Sequence, residues 1–145
     1  MSDPAFVLTS PNPFGLSDVG TDASPVLVDI DNDGDLDALV GNAAGNIQFF
    51  RNVGTVSNPI FTTAMANPFG LSAVVASASP AFVDIDDDGD LDALVGDAAG
   101  NTLFFQNIGT ASNPIFAAAI TNPFGLTDVG SSASPTLVDI DGDGD

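Results

Sequence analysis

The chain has no cysteine, histidine, lysine, glutamate, tryptophan or tyrosine, and Arg51 is its only basic side chain. Each absence removes a class of chemistry. Without cysteine there is no disulfide and no thiol nucleophile, and without cysteine or histidine there is no donor set for a soft metal. General acid–base catalysis is left with aspartate alone, so an enzyme is not expected. With one cation against twenty acids, a formal charge of −19, nothing can displace counterions from phosphates, which argues against nucleic acid as a partner. No apolar run approaches the roughly 20 residues of a membrane helix, so no membrane span is expected. Met1-Ser2-Asp3-Pro4 lacks the basic start and apolar stretch of a signal peptide, and any export signal is expected outside these residues. Helix is disfavoured by the lack of Glu and Lys, by ten prolines and by fifteen glycines.

What the chain does have is aspartate in a repeated pattern. Asp29-Ile30-Asp31-Asn32-Asp33-Gly34-Asp35-Leu36-Asp37 returns with one substitution as Asp84-Ile85-Asp86-Asp87-Asp88-Gly89-Asp90-Leu91-Asp92, and its opening returns as Asp139-Ile140-Asp141-Gly142-Asp143-Gly144-Asp145. Asn12-Pro13-Phe14-Gly15 recurs from Asn67 and Asn122 at the same 55-residue offset, which gives about 2.6 repeats. Fifteen of the twenty aspartates lie in these strings, so the acidity is concentrated at sites and is not spread as a solubilising coat. Alternating ionised carboxylates beside a turn-forming glycine repel one another unless a cation neutralises them. A hard cation is expected, and calcium (Ca2+) fits best because it takes six to eight oxygens in flexible geometry.

Within one repeat, residues 25–30 read as a buried strand, 36–41 as a second, 46–52 as a third after an Ala44-Gly45 turn, and 59–65 as a fourth, outer strand. Four short strands per repeat predict an all-β fold of four-stranded antiparallel blades in tandem, of the β-propeller type, with the acidic loops between first and second strands. One blade cannot bury both faces, so Phe49 and Phe50, like Phe104 and Phe105, are expected to pack on opposite sides. The expected units are 1–24 (outer strand of a preceding blade and linker), 25–79 and 80–134 (full blades), and 135–145 (first strand and truncated loop of a third). Asp18, Asp97 and Asp128 are expected on the surface or in turns, and Arg51 as an exposed residue at a strand end, with pairing to a neighbouring acidic loop as the alternative.

These residues resemble the FG-GAP/VCBS family of calcium-binding propeller blades, which includes those of integrin α-subunit heads and bacterial surface proteins. Phe14-Gly15 stands for the FG, Gly41-Asn42-Ala43 for a degenerate GAP, and residues 29–37 for the family's D-x-D-x-D-G-x-x-D loop. The resemblance implies side-chain ligands at Asp29, Asp31, Asp33 and Asp37 with the Asp35 carbonyl, and at Asp84, Asp86, Asp88 and Asp92 with the Asp90 carbonyl. Asp139, Asp141, Asp143 and Asp145 would form a third, incomplete cage. It differs from an EF-hand, because the bidentate Glu and flanking helices are missing.

A closed ring ordinarily needs four or more blades, so the expected partners are copies of the chain or adjacent repeats of a longer polypeptide. Strand 5–8 is expected to pair with a blade from such a neighbour. The reading is a non-enzymatic, extracellular structural or adhesive scaffold, where millimolar calcium fills even weak sites. The alternative is a module that binds a glycan or a cell-surface protein ligand through loops on one face.

Overall fold

The computed structural model describes residues 11–138. Among these, all eight named elements longer than a three-residue 3-10 turn or formed by pairing are β-strands, in keeping with the shortage of helix formers. Strands β1 (Ser24–Val28), β2 (Asp37–Gly41), β3 (Ile47–Phe50) and β4 (Met65–Ala66) form one sheet in sequence order. Strands β5 (Ser79–Val83), β6 (Asp92–Gly96), β7 (Thr102–Phe105) and β8 (Ile120–Thr121) form a second. All pairings are antiparallel, and the register repeats with the 55-residue offset: Val28 faces Asp37 as Val83 faces Asp92.

Two expectations about strands need correction. The fourth strand is not residues 59–65: regular pairing is confined to Met65–Ala66, and only a single bridge joins Phe61 to Asn52. Asn52 Oδ1 accepts the N–H groups of both Gly54 and Ile60, which folds residues 52–60 into a tight hairpin. Between the Asn52–Phe61 and Phe49–Met65 pairs the returning chain carries one extra residue, a bulge that interrupts the ladder. The first strand is not buried either. Its burial alternates, with Pro25 and Leu27 exposed, and the fully buried strand is β2.

The sheets stack. Leu39, Ile47 and Phe49 of the first meet Ala93, Val95 and Phe105 of the second, with Leu71, Val74 and Phe116 filling the seam. Ala38, Val40 and Phe50 face the other way, against Leu16, Val19 and Phe61. Phe49 and Phe50 therefore part to opposite faces as strand alternation requires, each burial contributing on the order of 2 kcal/mol. Phe49 meets the ring of Phe69 edge-on at 5.1 Å, and Phe104 meets Phe124 at 5.0 Å.

Close approach depends on Gly41 and Gly96. A Cβ on Gly41 would overlap the carbonyl oxygen of Ala78, and one on Gly96 that of Ala133. Ala78 N–H donates to the Asn42 carbonyl at 3.0 Å, so this contact is also a backbone link between repeats. Asn67, directly after β4, extends the β3–β4 pairing within the first sheet. In left-handed conformation, its side chain accepts from Ile47 N–H and donates to Asn46 Oδ1. Asn122 does the same to Thr102 and Asn101. Finally, the hydroxyls of Ser24, Ser79 and Ser134 form a ladder with Oγ–Oγ distances of 3.3 and 3.0 Å, marking the line along which successive first strands lie side by side.

Candidate metal centres

Each acidic loop joins the first strand of its sheet to the second. The chain leaves β1 at Val28, and Asp29 immediately caps the turn: its two oxygens accept Asp33 N–H and Gly34 N–H, both at 3.0 Å. Asp84 does the same with Asp88 and Gly89. Gly34 and Gly89 have φ of +95° and +92°, a conformation that costs a side-chain-bearing residue energy, so the glycine at this position is a steric requirement. The turn gathers Asp29, Asp31 and Asp33 so that one oxygen from each lies within 4.8 Å of the others, and Asp84, Asp86 and Asp88 likewise. Oxygens bound to one calcium at ~2.4 Å cannot be farther apart than about 4.8 Å, so both groups can hold an ion of that size.

Asp35, Asp37, Asp90 and Asp92 lie outside these groups of three. Asp37 and Asp92 are the first residues of β2 and β6, both almost fully buried. Asp37 Oδ1 accepts Asn52 N–H at 2.6 Å, and Asp92 Oδ1 accepts Asn107 N–H at 2.7 Å, tying the second strand to the exit of the third. Several buried oxygens accept no hydrogen bond: Asp31 Oδ1, Asp35 Oδ1, Asp37 Oδ2 and Asp90 Oδ1. Buried acceptors left without donors are costly, and a cation is the partner that a set made only of carboxylates can take. The side chains of Asp35 and Asp90 thus turn inward, where the sequence reading used only their carbonyls. Asp139, Asp141, Asp143 and Asp145 lie outside the described residues, as does strand 5–8.

The electrostatics follow from this crowding. Burial pushes the Asp37 carboxyl up to about 6, resisted by the N–H it accepts from Asn52 and reinforced by Asp31, Asp33 and Asp35. Burial likewise raises Asp92, against the N–H groups of Asn107 and Ile85. Asp35 and Asp90 are raised by burial and then by neighbouring carboxylates. Asp31 is raised by burial in spite of Arg51.

The sequence reading does not single out Gln106, Asn52 or Asn107 and leaves Asp97 on the surface or in a turn, while for Arg51 the structure shows the alternative, pairing with the acidic loop. Arg51 remains half exposed, yet its Nη2 lies 2.7 Å from Asp31 Oδ2 and 3.3 Å from Asp33 Oδ2. At the equivalent position Gln106 donates to Asp86 Oδ2 at 2.9 Å. Asp97 occupies a turn as expected but is buried, not on the surface, because its Oδ1 accepts the N–H groups of Ala99 and Asn101. Asn52 and Asn107, buried hinges of the exit hairpin, carried a readable signal in their recurrence 55 residues apart. Asp87 is exposed, as expected for a position between ligands.

The fold and its loops define a tandem β-repeat with an acidic, cation-compatible turn in each unit. A family model described as FG-GAP-like repeat matches residues 29–95, from the first acidic loop into the second sheet, and this stretch is consistent with an FG-GAP-type repeat. No curated protein and no solved structure matches it.

Proposed function

We propose that the chain is a non-enzymatic, calcium-binding structural module of an extracellular repeat protein, with its two sheets as successive blades of a propeller-type array. The observation that carries this reading is that three converged carboxylates in each loop lie with buried oxygens that have no donor, three in the first loop and one, Asp90 Oδ1, in the second. Calcium bound there would neutralise the loop and fasten the end of the first strand to the start of the second. Asp29, Asp31, Asp33 and Asp37, with Asp35, would hold one ion, and Asp84, Asp86, Asp88 and Asp92, with Asp90, the other. The serine ladder and the neighbouring β1 and β5 support a blade-like arrangement, since first strands of successive blades line a common axis.

An adjoining repeat of the same kind is the partner that the surface fits. Phe14, Leu27 and Leu36 are more than half exposed on the first sheet, while their counterparts Phe69, Phe82 and Leu91 are packed into the core by the repeat before them. Equivalent apolar positions of the repeat thus have a cover in one repeat, and the exposed set supports a like cover in the other. No helix among the described residues is long and apolar enough to cross a membrane, and millimolar extracellular calcium suits modular sites of this type.

The test is thermal unfolding in calcium and in chelator. Binding to the folded state alone adds about 2.7 kcal/mol at a hundredfold excess over Kd. The midpoint should rise clearly in calcium, and an unchanged midpoint would refute the proposal.

A further inference from the structure

The two loops differ in the contact that reaches them from the end of the third strand. In both repeats the residue just after the third strand reaches across the sheet to the acidic loop, but the reaching group is a guanidinium at Arg51 and a neutral amide at Gln106. Arg51 lies against Asp31 and Asp33, two of the three carboxylates that converge in the first loop. Gln106 lies against Asp86 alone and brings no charge. The first loop contains five aspartates facing one cation, whereas the second contains six, with Asp87 in place of Asn32, facing none.

We propose that Arg51 is a tethered competitor that makes the first loop the weaker and later-filling of two unequal cation sites. The inference rests on the reading that both loops bind calcium. A divalent ion entering the first loop meets a fixed positive charge already paired to its ligands. It must either displace the guanidinium or share carboxylates with it, and each course costs Coulomb energy that the second loop does not demand. Because Arg51 is half exposed, solvent screens the pair and the handicap is moderate. The same contact has a converse effect without metal: the guanidinium partly neutralises the first loop, while the second has hydrogen bonds but no positive charge against its carboxylates. The two repeats would then respond to different calcium concentrations, with the second loop ordering first.

Site-resolved titration tests this. Gly34 N–H donates to Asp29 and Gly89 N–H to Asp84, so these two amides report the loops separately in a proton–nitrogen NMR titration with calcium chloride. Gly89 should reach its midpoint at lower calcium than Gly34. Arg51→Gln should lower the Gly34 midpoint by about three- to tenfold and leave Gly89 in place, consistent with a partly screened ion pair. Arg51→Lys, which keeps the charge, should stay near the parent, and Gln106→Arg should raise the Gly89 midpoint by a similar factor. Coincident midpoints in the parent, or a Gly34 midpoint unmoved by Arg51→Gln, would overturn the inference while leaving calcium binding intact. If neither amide responds up to about 10 mM calcium, beyond the range of weak extracellular modules, calcium binding itself fails and the inference with it.

Discussion

Asp37 shows how a single side chain is placed in two roles that conflict without a cation. One oxygen holds Asn52 N–H, and the other is buried with no donor, so burial raises its pKa to about 6. An aspartate raised in the folded state binds its proton more tightly there than in the unfolded chain, where the ordinary value is 3.8. Stability contributed by that proton is full below about 4 and is lost as pH rises through about 6. In chelator, the thermal midpoint should therefore fall between pH 4 and pH 7, and Asp37→Asn should flatten part of that fall. A variant with the parent's slope would show that Asp37 does not titrate in this window. In sequence, the alternation of carboxylates and the following glycine made the loop legible. The partner of Asp37 was not, because Asn52 and the loop are brought together only by the β2–β3 pairing.

At the level of the element, the acidic loop is a connector whose far end is a strand. Asp92 accepts Asn107 N–H and Ile85 N–H, so removing its carboxylate leaves a buried donor at Asn107 unpaired. Asp92→Ala should cost about 1–3 kcal/mol in denaturant unfolding even before any effect on metal. Asp87→Asn, which installs the residue found at the equivalent Asn32, should stay within about 0.5 kcal/mol. Equal losses would show that the loop register is wrong. Strands one to three were legible to within a few residues, from apolar runs between turn residues. The fourth was not, since the apolar Pro59-Ile60-Phe61 stretch suggested a strand, and the hairpin controlled by Asn52 Oδ1 and the bulge after it leave only two residues in register.

For the whole molecule, the 55-residue period was the most readable feature, and it is the structure's own period: two sheets with matching registers, joined by the close approach at Gly41 and the Ala78 N–H bond to the Asn42 carbonyl. What the period did not reveal is which strand is covered, because burial of β1 and β5 depends on the neighbouring repeat and not on their own residues. The scarcity of basic residues has one more consequence, in proteolysis. Trypsin, which cuts after lysine and arginine, has one target in this chain, the Arg51–Asn52 bond. That bond is enclosed: the Arg51 carbonyl accepts Thr62 N–H, Arg51 N–H donates to Thr62 Oγ1, and Asn52 N–H is held by buried Asp37. Cleavage requires local opening of the first sheet, so the rate at which fragments 1–51 and 52–145 accumulate measures that opening. Their appearance, followed by mass spectrometry, should be slow in calcium and fast in chelator. A chain cut equally fast in both would show that the end of the third strand opens independently of the ion.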